Sequence, residues 1–142
     1  MNVEGILAGK SRDIVTINPG ETVAEAVTAL DRHRIGAVLV CENDRVVGIL
    51  SERDIVRGLA ERGTEILAQP LSELMTVKPK TCTPRASVDE VMEMMTNGKF
   101  RHVPVLDGER LVGIVSIGDV VKHRLAAIES EHAALRDYIA TA

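Results

Sequence analysis

The chain has 142 residues, 45% of them hydrophobic and 27% charged, with a formal net charge of −4, which is ordinary for a globular protein of one compact domain or two small fused units. The acidic balance disfavours nucleic acid and anionic membranes as partners, no stretch reaches the roughly 18 apolar residues of a membrane span, and Met1 to Lys10 lacks the basic and apolar regions of a secretory signal. Aromatics amount to 1%, namely Phe100 and Tyr138, so the core has to be assembled from Val, Ile, Leu, Ala and Met.

In chain order, a short extended piece at Thr16-Ile17 is closed by Pro19. Thr22 to His33 places Val23, Ala26, Val27 and Leu30 at helical spacing on one face. Ile35 to Cys41 and Arg45 to Leu50 read as two strands, followed by a helix from Ser51 to about Glu61. The stretch from Gly63 to Lys78 holds Pro70 and a short helix-like piece, Leu71 to Met75, and reads as a linker. The same series then recurs: an extended piece at Thr81-Cys82, Pro84, a helix over Ser87 to Asn97, and a strand from Arg101 to Leu106. A turn at Asp107-Gly108, a favoured hairpin pair, leads to a strand from Arg110 to Val115 and a helix from Ser116 to about Ala127. The charged tail, Glu129 to Ala140, has helical propensity and reads as a solvated extension of that helix rather than a dimer contact.

The recurrence is a duplication. Gly48-Ile49-Leu50-Ser51-Glu52-Arg53-Asp54 returns 65 residues later as Gly113-Ile114-Val115-Ser116-Ile117-Gly118-Asp119. The same offset carries Thr22-Val23-Ala24-Glu25 onto Ser87-Val88-Asp89-Glu90, and no gap is needed from Thr16 to Arg57. Two repeats are too few for an open solenoid, so the expected fold is α/β (α+β), two β-α-β-β-α units packed about a pseudo-two-fold axis. The expected divisions are residues 1–62 for the first repeat with an N-terminal helical segment, 63–78 for the linker, 79–128 for the second repeat and 129–142 for the tail.

The element order, the segments GILSERD and GIVSIGD, and the strand text Arg101-His102-Val103-Pro104-Val105 resemble the CBS domain, named after cystathionine beta-synthase, over nearly the whole chain from Ile14 to Leu125. The chain looks like a stand-alone bacterial CBS pair, or Bateman module. The resemblance implies two clefts between the repeats that hold AMP, ADP, ATP, NAD or S-adenosyl derivatives, no catalytic cofactor, and disc-like homodimers. Carried over residue by residue, it implies that Asp54 and Asp119 accept the ribose hydroxyls, a task suited to a planar two-oxygen acceptor. Ser51 and Ser116 open the following helices, where free N–H groups face phosphate. For the adenine edge it implies Thr16, Ile17, Ile35, Gly36 and Ala37 in one repeat, and Thr81, Cys82, Arg101, His102 and Val103 in the other. Pro104 lacks an N–H and suits a strand edge. The repeats differ where Gly36 faces Arg101 and where Arg53 faces Gly118. Arg53 and Arg101 are the candidate phosphate ligands, with Arg53 reaching the cleft that holds Asp119.

The bland alternative is structural. Thr22/Glu25, Ser51/Asp54, Ser87/Glu90 and Ser116/Asp119 are all spaced as capping boxes. The first helices use Glu and the second helices the shorter Asp, a split that capping alone does not require. Cys41 and Cys82 show no metal spacing and read as reduced, mostly buried thiols of a cytoplasmic protein. Gly9-Lys10-Ser11 mimics the end of a P-loop, but position 4 is Glu and no strand precedes it. No nucleophile, metal or base constellation stands out, so the expected function is non-catalytic sensing of an adenine nucleotide, read by an unidentified protein partner. The alternative is a ligand-independent dimerisation scaffold.

Overall fold

In the computed structural model, residues 2–10 and 14–141 are described; Met1 and Ala142, the limits of the expected divisions, and Ser11 of Gly9-Lys10-Ser11 lie outside them. The first repeat builds a four-stranded sheet in the order β1 (Thr16–Ile17), β2 (Ala37–Glu42), β3 (Arg45–Ser51), β4 (Thr76–Val77). β1 runs parallel to β2, and β2, β3 and β4 are antiparallel neighbours. The second repeat has β5 (His102–Asp107) against β6 (Arg110–Ser116). Both hairpins carry an irregularity at the same place, Val40/Cys41 and Val105/Leu106. The first hairpin turns through Asn43 and Asp44 at φ 53° and 62°, the left-handed pair that a two-residue hairpin loop of the I′ kind requires. The second uses Gly108 at φ 66°.

Helices α2 (Val23–His33), α3 (Glu52–Arg62), α4 (Val88–Gly98) and α5 (Ile117–Thr141) follow the sequence boundaries closely at their starts because side chains cap them. Thr22 Oγ1 accepts from Glu25 N, and Ser51 and Ser87 close reciprocal capping boxes with Asp54 and Glu90. Gly63 at φ 73° ends α3, after which two 3-10 turns, Gly63–Ala68 and Leu71–Glu73, cross back over the first repeat. α5 runs on through the tail as the sequence suggests, the two forming one uninterrupted helix of 25 residues.

A departure from expectation lies at Thr81-Cys82. The expected strand shrinks to a single parallel bridge, Cys82 with Val105, the counterpart of Ile17 with Val40 in the first repeat. Pro104 stands where the first repeat has Leu39. Its C=O accepts from Cys82 N at 3.0 Å, but it has no N–H to offer the residue before Thr81, so the ladder cannot lengthen.

Three apolar clusters hold the fold. One joins β1, β2, β3, α2 and α3 with Ile66 and Leu71 from the 3-10 turns; Ile66 and Leu71 are fully buried, each contributing about 1.5–3 kcal/mol of transfer free energy. The second joins α4, β5, β6 and α5 with Val3 and Ile6 from the N-terminal helix α1 (Val3–Ala8). The third lies between the repeats and centres on Ala37, Leu39 and Ile49, with Leu111 and Ile114 from the other sheet. Strand alternation explains the division: Val38, Val40 and Leu50 face their own helices, while Ala37, Leu39 and Ile49 face the opposite repeat.

The segments that close the two sheets come from unexpected places. Leu71 N donates to Glu21 O, and Val3 N donates to Ala86 O, the same position one repeat on. Met75 covers Gly48 and Leu7 covers Gly113. Residues 70–78 thus complete the first repeat, and residues 2–10 complete the second.

Candidate cleft at the helix starts

The two strand–helix junctions have matching geometry. Ser51 N donates to Asp54 Oδ2 at 2.9 Å and Asp54 N to Ser51 Oγ at 3.2 Å. Ser116 N donates to Asp119 Oδ2 at 2.9 Å and Asp119 N to Ser116 Oγ at 3.2 Å. The shorter aspartate therefore closes the box as well as glutamate does: Ser87 N reaches Glu90 Oε2 at 3.4 Å. The bonds that either aspartate accepts from described residues all fall on Oδ2. Each helix start is pinned further by a main-chain bond that it donates to the residue just before its repeat's hairpin, Glu52 N to Gly36 O at 3.0 Å and Ile117 N to Arg101 O at 2.8 Å.

The junctions differ in what stands before them. Lys10 Nζ donates to Asp119 Oδ2 at 2.6 Å and to Ile114 O at 2.9 Å, and both members of this ion pair are mostly shielded from water. Burial alone would raise the Asp119 carboxyl, but the bonds from Lys10 and at Ser116, with the Lys10 charge, outweigh it and hold the group below the ordinary carboxylate value. Lys78 holds the corresponding sequence position in the segment that closes the first repeat, and it is exposed.

His102 lies between the repeats. A Cβ on Gly36 would stand 3.2 Å from His102 Cε1 and 3.7 Å from Glu52 Oε1, so the glycine makes room for the imidazole. Burial lowers the His102 pKa; among its charged neighbours Glu52 and Asp119 oppose the shift, and Lys10 and Arg101 add to it. Gly36 and Glu52 of the first repeat thus meet His102, Arg101, Asp119 and Lys10 of the other face. Arg101 is exposed at the mouth of this cluster. Arg53 crosses to the second repeat, where its guanidinium donates to Lys99 O at 3.1 Å.

The remaining candidate residues are more dispersed. Thr16 lines a hollow of about 500 Å³ between the hairpin turns, with Cys41, Asn43, Arg45 and Glu109. Ile35 and Gly36 line another of about 460 Å³ against α2 and α3, with Glu52, Ile55 and Val56. Neither hollow is lined by Asp54 or Asp119. Ile17, Ala37, Cys82, Val103 and Pro104 are buried, and Thr81 is exposed. Cys82 uses both main-chain groups on β5, donating to Pro104 O and accepting from Leu106 N, and burial pushes its thiol up to about 11. Lys10 was missed by sequence reasoning. Its only signal there was the Gly9-Lys10-Ser11 text, set aside as a failed P-loop; the contact with Asp119 spans 109 positions and has no local pattern. Among the described residues no cluster of His, Cys, Asp and Glu could hold a metal, and no helix is long and apolar enough to cross a membrane.

Comparison with known proteins places these features in a family. Residues 3–61 and 71–126 match the CBS domain. The CBS-domain containing protein ATU1752 from Agrobacterium tumefaciens is similar in structure, with a TM-score of 0.84 and 46% identity over 87% of this chain and 99% of that one. The CBS domain pair of MJ0100, solved with 5′-methylthioadenosine and S-adenosyl-L-methionine, has a TM-score of 0.79 and 27% identity over 89% and 98% of the two chains. PAE2072 from Pyrobaculum aerophilum, solved with AMP, has a TM-score of 0.75 and 28% identity over 84% and 89%. The chain spans 55% of one curated relative that it matches and 80% of another. With its two matched repeats, the chain belongs to the CBS domain family as a tandem pair.

Proposed function

We propose that the pair is a non-catalytic sensor that takes an adenine nucleoside or nucleotide (AMP, ATP, NAD or an S-adenosyl compound) between the repeats against Asp119, Ser116, His102 and Arg101, and passes the event on as a change in packing between repeats or between two copies of the chain. The observation that carries this reading is the Asp119 carboxylate. It is ionised, partly shielded and held by one oxygen, with cationic Lys10 bonded to it, Arg101 among the charges around neighbouring His102, and the start of a long helix beneath it. A vicinal diol on Oδ1 and a phosphate near the two cations would satisfy the groups already there. The adenosine compounds named with MJ0100 and PAE2072 support the ligand class. Asp54 and Ser51, closed by the same pair of bonds, form the second candidate.

A ligand can shift packing only by its differential affinity for the two arrangements. The place to register it is the junction of Gly36, Glu52 and His102, where the repeats meet. Calorimetric titration with AMP, ATP, NAD and S-adenosylmethionine tests the reading: at least one should bind with a stoichiometry of one or two per chain, and Asp119→Ala should weaken it about tenfold or more, as expected for loss of a charged hydrogen-bond acceptor. Absence of heat and of any melting shift with all four ligands would overturn it. The second reading, a scaffold with no ligand, is favoured by the completed capping boxes, which already give Ser51, Asp54, Ser116 and Asp119 a structural task.

A further inference from the structure

The family match ends at residue 126, yet α5 runs on to Thr141. An isolated helix of that residual length is marginal in water, and this one carries large apolar side chains into solvent. Val121, Leu125, Ile128, Leu135 and Ile139 are 46–66% exposed. Their spacing is regular. From Val121 the steps to Leu125, Ile128, His132, Leu135 and Ile139 alternate four and three residues, the 3.5-residue period of a coiled-coil seam. The only polar member is His132. A seam this long facing water is the signature of a face that is covered by another helix.

The flanks of the seam say what covers it. With Leu125, His132 and Ile139 as a positions, Arg124 and Glu131 fall at g, and Glu129 and Arg136 at e. In a parallel, in-register pair each g residue faces the e residue five positions on in the other helix. Arg124 then faces Glu129 of the second copy, and Glu131 faces Arg136. Both contacts join opposite charges and both occur twice by symmetry. In the antiparallel arrangement that overlaps the seam from Leu125 to Leu135, Glu129 would face its own counterpart and so would Glu131.

We infer that the C-terminal half of α5 is a self-association element, pairing with a second copy of this chain as a parallel, in-register coiled coil through Val121, Leu125, Ile128, His132, Leu135 and Ile139. The pairing stands whether or not the clefts hold a nucleotide. The seam begins on the body of the second repeat, at Val121, so the pairing would fix the distance between two bodies as well as joining them.

Sedimentation equilibrium of the full chain tests this with charge variants, which lie on exposed positions and leave the seam intact. Glu131→Lys should weaken self-association about 5- to 10-fold by placing like charges together at two symmetric sites. Adding Arg136→Glu should restore it to within about twofold of the original, because the pair is rebuilt with its signs exchanged. Failure of the second change to restore association overturns the parallel register, since neither an antiparallel pair nor an unrelated partner would be rescued by that exchange. Equal association for all three proteins overturns the proposal. Melting curves of the three, expected to agree within a few degrees, show that the body is unaffected. As an independent measurement, Ile139→Cys in a Cys41→Ser background should form a disulfide-linked dimer on mild oxidation, the buried Cys82 thiol being a poor competitor; its absence also overturns the parallel arrangement.

Discussion

Replacing Lys10 with methionine removes a charge that reaches across the fold while keeping a stem of similar length. Lys10 Nζ sits 2.6 Å from Asp119 Oδ2, with 31% and 22% of the two side chains exposed. A charge-assisted bond is worth about 1.5–3 kcal/mol when desolvated; residual water and the entropy of holding a lysine reduce that to about 1 kcal/mol here. For a chain of this length the unfolding entropy converts 1 kcal/mol into roughly 3–4 °C of melting temperature. Asp119 also caps α5, so single variants mix two effects, and the coupling has to come from the cycle Lys10→Met, Asp119→Asn and the double variant. The sign of its pH dependence is fixed. The Asp119 carboxyl is held below its ordinary value, so the contribution is complete above the unfolded carboxyl pKa, near pH 4, and is lost as pH falls through the lower folded value. Thermal melts at pH 7 should show about 1 kcal/mol of coupling, shrinking once the pH is taken below about 4. Coupling under about 0.3 kcal/mol at pH 7, or coupling of unchanged size in acid, would refute the ion pair as the holder of the N-terminal segment.

Gly48→Ala should cost about 1–3 kcal/mol by overpacking, because the new methyl would lie 2.7 Å from Met75 Sδ and 2.9 Å from the Thr76 carbonyl; Gly113→Ala, which meets only the end of Leu7, should cost less, and urea denaturation of the two variants gives the comparison. Leu71→Ala should destabilise by about 2–5 kcal/mol, since the side chain is fully buried in the first repeat's core; a loss under 1 kcal/mol in the same assay would mean that the 70–78 segment does not close that repeat. His102 is held below its ordinary value by burial, so its proton uptake on unfolding removes stability as pH falls from about 6.5 downward; His102→Asn should flatten that part of the stability profile, and an unchanged slope would argue against a shielded imidazole. Among the thiols, Cys82 should react with a neutral thiol reagent at pH 8 far more slowly than half-exposed Cys41, its pKa being pushed up to about 11; equal rates followed by mass spectrometry would contradict the packing around Val105.

The order of helices and strands was readable because the chain states it twice, once per repeat, in local patterns: a capping residue, an apolar stripe at helical spacing, then alternating strands around a turn. The junction aspartates were readable in the same way, and the bonds at Ser51 and Ser116 have the form that the S-x-x-D spacing requires. What the text concealed depends on distant partners. β4 is two exposed residues whose strand geometry comes from Gly48 and Ile49. The shortening at Thr81 arises from one absent donor on Pro104. Lys10 is an unremarkable lysine until Ile114 and Asp119 are brought beside it. The continuation of α5 was legible, and its heptad steps were present in the letters, but a charged tail reads as solvated until Leu125, Ile128, Leu135 and Ile139 are seen exposed along it.

The exchange of closing segments has a consequence for how the chain can be divided and made. A fragment of residues 14–78 would carry every buried side chain of its own cluster, whereas a fragment beginning at residue 79 would lack Val3 and Ile6, two walls of its interior. During synthesis α1 must wait until the ribosome has added more than a hundred further residues before the carbonyl of Ile114 is there to receive Lys10. Residues 2–10 therefore act as a clasp: the second half stays ajar until a segment made more than a hundred residues earlier swings over to shut it.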